Sequence, residues 1–486
     1  MAKRSIEKNY IYNLSYQLLA MIVILISTPY LSRVLGTTGV GIFSYTYSIV
    51  TYFILIGSLG ITMYGQREIA YVQDNIKKRS IVFFQLFLLK TITLLISIII
   101  FSLLFWNSKK YGIYFRILDI ELIANIFDIT WFFQGLEDFK KIVIRNGIVK
   151  IITLLLMFAF IKNSNDLSLY FFIYTLSTLI GNISLWVNIK GYIKKITKKE
   201  LDFVNFLKKH YKAILILLIP QISVQIYTVL DKTMIGLMIS DIAEVGFYER
   251  AQNIVKLALT VITSFGTIMF SRISYSFINK DTKKLNEYID KSFDFVWLIA
   301  IPIMFGLCAI APNLVPWYLG NDYYPVIRLI QYSCPLIVII GTSQVIFSQY
   351  LISTNKNNLY TKSVLIGAIC NVTMNLIFIK FFMTSGAVLS SVLSEFIILI
   401  VEIILVKNNI KYIDNFINSI KYFICGFIMF CIVTITGKYL SPSILNTFIL
   451  VVIGVIVYFT LLVIIKEKNI IKIIQKILKK NERSEN

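Results

Sequence analysis

One histidine, His210, serves a chain of 486 residues, so neither a histidine-based metal site nor a histidine-paired nucleophile can be assembled from it. The five cysteines (Cys308, Cys334, Cys370, Cys425 and Cys431) all lie in apolar runs and form no CxxC pair, which favours buried small hydrophobes over ligands or redox groups. No GxxxxGK[ST] loop occurs, which argues against ATP hydrolysis by this chain. Charge is scarce too: 15% of residues, against 57% hydrophobic and a mean hydropathy of +0.75, a composition foreign to soluble globular domains. The expectation is a protein with no catalytic residues, no metal and no cofactor.

What fills the chain instead is apolar runs of bilayer length. About 20 apolar residues cross the hydrocarbon core, and only helices or closed barrels do so without orphaned backbone groups. These runs are continuous and rich in Ile, Leu and Phe, which selects helices. The predicted spans are 11–32, 40–64, 81–106, 113–135, 142–161, 167–189, 213–230, 245–270, 293–311, 325–350, 361–379, 386–406, 420–436 and 444–465. The first follows Lys3, Arg4 and Lys8 with no small-residue cleavage site, and is read as a retained helix. With the N-terminus inside, roughly 34 of the 48 Lys and Arg fall on the cytoplasmic side, about 7 outside and about 7 within spans. That bias predicts both termini cytoplasmic. It also accounts for the net charge of +22: positive-inside signal and contact with anionic lipid headgroups, with no nucleic-acid partner. The basic tail 467–480 has apolar residues at helical spacing and is expected to lie on the inner leaflet.

The basic connection 190–212 divides the chain into sides that resemble each other. One ungapped shift aligns Val40-Gly41 with Val245-Gly246, Thr62 with Thr267, Arg67 with Arg272 and Lys78 with Lys283. Both copies start on the same membrane side, which implies a parallel repeat with a pseudo-two-fold along the membrane normal. The predicted fold class is all-α and polytopic: a lobe of six helices over 1–189, a linker 190–212, a second lobe over 213–406, and two further helices with a basic tail over 407–486.

Charges inside spans are costly, about 2.5–3.5 kcal/mol for a cation at a helix centre, so each needs a reason. Arg116, Arg145, Asp294 and Glu402 lie near span ends, where snorkelling suffices. Lys90, Lys256 and Asp128 are harder to place that way. On helix 8, Glu249, Asn253, Lys256 and Thr260 follow i, i+4, i+7, i+11 spacing and share a face, with Arg250 alongside. Helix 7 repeats the pattern with Gln221, Gln225, Thr228 and Lys232, and the repeat shift maps Ser44, Ser48 and Thr51 onto Glu249, Asn253 and Lys256. Such stripes either glue helices by hydrogen bonds or line a water-filled space between lobes; their repetition favours the second. On helix 4, Glu121, Asn125 and Asp128 are expected on one face, with Arg116 and Asp119 as an i,i+3 pair. Glu121, Asp128 and Glu249 are candidates for taking up H⁺ or Na⁺, or for neutralising a neighbouring cation; the residues leave both open.

At these positions the chain resembles the Wzx-type flippases of lipid-linked oligosaccharides, within the multidrug/oligosaccharidyl-lipid/polysaccharide (MOP) superfamily. The resemblance rests on Thr28-Pro29-Tyr30-Leu31-Ser32-Arg33-Val34-Leu35-Gly36 leading to Val40-Gly41, on Trp131-Phe132-Phe133-Gln134-Gly135-Leu136-Glu137, and on Asp231-Lys232-Thr233-Met234-Ile235-Gly236 followed by Val245-Gly246-Phe247-Tyr248. Asn371, Asn375, Ser385-Gly386-Ala387 and Ser394-Glu395 complete the series. It implies a bacterial cytoplasmic-membrane flippase for undecaprenyl-diphosphate-linked repeat units of a capsule or O-antigen type polysaccharide, acting beside other assembly proteins. It also implies two lobes that open a cationic cavity alternately to each side. Lys232 and Arg33 match the family's motif positions, and Lys256, Arg250 and Lys90 join them from helix geometry. The acids Glu249, Glu121 and Asp128 depart from a uniformly basic lining.

A multidrug cation antiporter of the same superfamily predicts acids along helix 1, and 11–32 contains none. A lipid II flippase is not separable on residues. A polytopic polysaccharide polymerase predicts a large outer loop with catalytic groups, whereas the longest outer connection here has about fifteen residues.

Overall fold

The computed structural model describes residues 6–407, 412–467 and 471. The protein is an all-α polytopic membrane protein: among the described residues there is no strand, and ten helices are long and apolar enough to cross a bilayer. The chain divides into two compact units, Met1–Glu249 and Arg250–Asn486.

The first unit holds α1 (Ile6–Ser58), α2 (Ile61–Tyr71), α3 (Ile76–Phe105), α4 (Gly112–Ile126), α5 (Thr130–Gly135), α6 (Phe139–Phe160), α7 (Leu167–Val187), α8 (Lys198–Leu201), α9 (Phe203–Met238) and the start of α10 (Ala243–Ile278). α1 covers the first predicted span and most of the second and departs from helix only at Gly36, whose φ of 67° and ψ of −178° suit glycine alone. Its second half stops earlier than expected, at Ser58, where Leu59 and Gly60 turn left-handed. The predicted span 113–135 is a correction: α4 ends at Ile126 and α5 starts at Thr130. The Asp128 carboxylate accepts from Thr130 N (3.0 Å) and Thr130 Oγ1 (2.5 Å), a local alternative to the helical bond that ends α4.

An aromatic core closes one end of this unit. Trp131, Phe132 and Phe133 are fully buried with Phe83 and Tyr64, and Trp131 stacks on Phe83 at 5.6 Å. The Trp131–Gly135 motif is therefore packing. The start of the basic connection 190–212 is docked here: buried Arg79 donates to the Tyr192 carbonyl at 2.9 and 2.6 Å and to that of Gln73 at 2.5 Å. Lys194 N donates to Ser80 Oγ at 2.8 Å, and Gln85 to the Leu201 carbonyl at 2.6 Å.

The second unit continues α10 and adds α11 (Thr282–Tyr318), α12 (Pro325–Ser333), α13 (Pro335–Gln344), a π-helical segment Val345–Ile352, α14 (Asn357–Val406), α15 (Tyr412–Lys438) and α16 (Ile444–Ile464). α14 covers two predicted spans and breaks at Met383 (φ 53°, ψ −135°). α15 and α16 pack on α11. Tyr458 OH donates to the Leu298 carbonyl at 3.1 Å, and Asn313 Nδ2 donates to those of Gly437 and Leu440 at 3.2 and 2.8 Å. Trp317 Nε1 donates to Thr447 Oγ1 at 2.7 Å.

Candidate functional site

Within the first unit, the second half of α1 meets the end of α9 and the start of α10. The approach is close because it is made on glycine: a Cβ on Gly41 would lie 2.0 Å from the Ile242 carbonyl oxygen, and one on Gly246 would lie 2.3 Å from that of Thr37. Small residues are what let membrane helices draw this near.

Side chains around this crossing form one polar strip. Ser48 Oγ lies 2.7 Å from Thr233 Oγ1 and donates to the Tyr45 carbonyl at 2.6 Å; Tyr52 OH reaches the same threonine at 3.2 Å. Buried Tyr248 donates its hydroxyl to Asp231, and Lys232 pairs with Glu249. Both members of that pair are half-buried, at 18% and 19% side-chain exposure. Tyr47 OH donates to the buried Glu121 carboxylate at 3.4 Å and packs edge-on to Tyr174 at 5.5 Å. Glu121 and Glu249 both lie within electrostatic reach of Tyr174.

The same unit holds a second charged group. Lys90 is 1% exposed and donates to the Asp128 carbonyl at 2.9 Å, with Asp128 Oδ2 at 3.9 Å. Arg145 and Tyr16 extend this field, Arg145 acting on both Asp128 and Tyr16.

The structure thus brings together Ser48, Lys232 and Glu249, with Thr233 as the member that sequence reasoning left unused. Ser44 is buried, and Thr51 bonds its own helix through the Tyr47 carbonyl at 2.8 Å. Gln225 is half-buried on α9; the Gln221 side chain lies outside the described residues. Arg33 is exposed on α1. Arg250, Asn253, Lys256 and Thr260 fall in the second unit. There Arg250 is buried at 6% exposure, Asn253 and Thr260 are half-buried, and Lys256 is exposed, so the stripe occupies the less covered face of α10.

Two expectations on α4 are corrected. Asp128 lies beyond the helix, so it does not share a face with Glu121 and Asn125; Asn125 Nδ2 instead donates to the Glu121 carbonyl at 2.9 Å. Asp119 accepts from Trp106 Nε1 and from Ser102 Oγ in place of Arg116, which donates to the Trp106 carbonyl at 3.3 Å. Two clefts are described elsewhere. One, of 320 Å³ and apolar lining, lies between α6 and α7; the other, of 470 Å³, lies at the α10–α11 turn around Arg272, Tyr275 and Tyr288.

A model of the family described as polysaccharide biosynthesis protein matches residues 6–277, more than half of the chain. The chain belongs to this family. The matched stretch contains the whole polar strip and the Lys90–Asp128 group. Beyond the family, the chain is 22% identical over 412 residues to a protein of Escherichia coli (strain K12) named "Putative O-antigen transporter", covering 84% of this chain and 98% of that protein. Its fold is that of MOP-superfamily transporters. It matches an inward closed conformation of the lipid II flippase MurJ with a TM-score of 0.73 at 16% identity, over 95% of this chain and 99% of that one. It matches an inward-facing multidrug resistance MATE family transporter with a TM-score of 0.62 at 14% identity, over 83% and 99%. This member of the polysaccharide biosynthesis family therefore shares its architecture with proteins named as carriers of quite different cargo.

Proposed function

We propose that the protein is a flippase that moves undecaprenyl-diphosphate-linked oligosaccharide repeat units from the inner to the outer leaflet of the bacterial cytoplasmic membrane. In this reading the chain makes fourteen spans with both termini cytoplasmic. Lobes over 1–189 and 213–406 are joined by 190–212 and open a central chamber alternately to each side. The observation that carries it is the polar strip of Ser48, Thr233, Lys232, Glu249, Tyr47 and Glu121, held inside an apolar unit of a polysaccharide biosynthesis family member. Ionisable groups at membrane depth are kept for a function or a partner, and this strip offers cations and hydroxyls to a phosphorylated glycan.

Lys232, Lys256, Arg33 and Arg250 are the proposed diphosphate contacts, Lys as a point charge and Arg as a bidentate donor. Lys232 meets substrate by exchanging Glu249 for phosphate. Lys90 reaches a diphosphate only if its bond to Asp128 opens, so in the present conformation it positions the turn between α4 and α5. The lack of acids along 11–32 weighs against a cationic-drug cargo. A headgroup with about two negative charges, moved out of a negative interior, gains roughly 4–5 kcal/mol per 100 mV, which favours export.

The test is reconstitution of the full chain in liposomes with a labelled undecaprenyl-diphosphate-linked oligosaccharide. Outward movement that fails in Lys232→Gln at normal protein levels is expected; undiminished movement in that variant overturns the assignment of the strip.

A further inference from the structure

Glu402 was expected to snorkel from a span end. It does not: it is 0% exposed in the second unit. Its carboxyl accepts from Ser343 Oγ on α13 at 2.7 Å and from Ser363 Oγ on the first segment of α14 at 3.4 Å, while Glu402 itself stands on the second segment, past Met383. Both serines are buried, at 4% and 0% exposure. Among the described residues no Lys, Arg or His pairs with it. The titratable groups that face it are Tyr360, stacked on Phe347 at 4.9 Å, and buried Glu395. The nearest cations along the chain are occupied or outward: Lys356 donates to Tyr350 OH at 2.9 Å, and Lys362 and Lys407 are exposed.

Two serine hydroxyls do not compensate an ionised carboxylate taken out of water, whereas a neutral carboxyl also donates its O–H to Ser363 Oγ, whose own hydrogen goes to the Tyr360 carbonyl at 2.8 Å. The surroundings also have room to change. Ser343 lies two residues before the π-helical segment Val345–Ile352, a form that recurs at functional sites. Within that segment Gln349 is 1% exposed with neither amide atom bonded.

We propose that Glu402 is a proton-binding carboxyl whose loading latches α13 to both segments of α14. A proton from bulk water bonds to a carboxylate oxygen of Glu402. The neutral group stays buried between Ser343 and Ser363, and release of the proton leaves a charge that must find water or a cation, which opens the latch. The binding stands on this geometry; its use as the counter-ion step of export rests on the flippase reading.

The test is infrared difference spectroscopy of the full chain in liposomes titrated from mildly acidic to alkaline pH, without substrate. A protonated-carboxyl stretch that titrates in the native chain, is lost in Glu402→Gln and shifts in Ser363→Ala is expected. A native chain with no such band, or a band unchanged in Glu402→Gln, overturns the proposal. Glu402→Asp, which keeps the acid, must retain a titrating band at a shifted position, so a folding defect in the glutamine variant does not decide the matter. Flipping measured beside it separates the two readings: a band assigned to Glu402 in a chain that moves no oligosaccharide keeps the proton site and rejects the flippase.

Discussion

Gly41 and Gly246, the two glycines that the internal repeat pairs in sequence, meet each other in space: a Cβ on Gly41 would lie 3.3 Å from the Gly246 amide nitrogen, and one on Gly246 would lie 3.1 Å from that of Gly41. Either glycine changed to alanine forces backbone apart at the α1–α10 crossing. Such overpacking is expected to lower stability by about 1–3 kcal/mol. Thermal unfolding of the purified chain in detergent checks it, and an unchanged midpoint in both variants would reject the crossing.

Lys90→Met strips the Asp128 carbonyl and carboxylate of their ammonium. Removing one partner of a fully buried pair is worth about 3–5 kcal/mol; with Asp128 at 21% exposure, about 2 kcal/mol is expected. Asp128→Asn should also destabilise, by leaving a buried cation. The double variant should recover part of the loss, and strictly additive losses would show that the two groups are not coupled.

The Lys232–Glu249 pair separates structure from transport. Lys232→Glu combined with Glu249→Lys preserves the ion pair and should restore protein levels relative to either single change. If Lys232 receives phosphate from its place on α9, export should stay impaired in the swapped chain. Full export there would make the pair purely structural.

His210 lies ahead of the span predicted at 213–230, against Tyr64, whose hydroxyl bonds its Nδ1. Burial holds its pKa below the ordinary 6.5, with Lys209 and Arg67 adding to the effect and Glu68 opposing it. The unfolded chain therefore takes up a proton that the folded chain refuses. The contribution of this contact is complete above about pH 6.5 and is lost as pH falls from there toward the lower folded value. Thermal stability should decline over that window, and His210→Gln should flatten the decline. An identical profile in the variant would remove His210 from the account.

The sequence reached the helical class and most spans because long apolar runs have only one good solution in a bilayer. It missed where helices break for local reasons. The Asp128–Thr130 turn divides α4 from α5 inside a single predicted span, whereas the break at Met383 falls in the connection expected between 379 and 386. For the site, helical spacing placed Ser48 and Lys232 on faces that do meet polar partners. Spacing does not say what a face looks at, and so Glu402 and Asp119, assigned to span ends or local pairs, proved buried among hydroxyl and indole donors from other helices. Thr233 is read from sequence only as part of the Asp231–Gly236 motif, because an uncharged threonine beyond the predicted span end offers no cost that its hydrogen bonds would have to explain.

Transport itself is the most direct test. In liposomes holding the purified full chain and a labelled undecaprenyl-diphosphate-linked oligosaccharide, the account predicts oligosaccharide reaching the opposite leaflet, faster with the interior of the starting side negative, and at least tenfold slower in Lys232→Gln. A native chain that moves no oligosaccharide, or moves it equally well without Lys232, would contradict it.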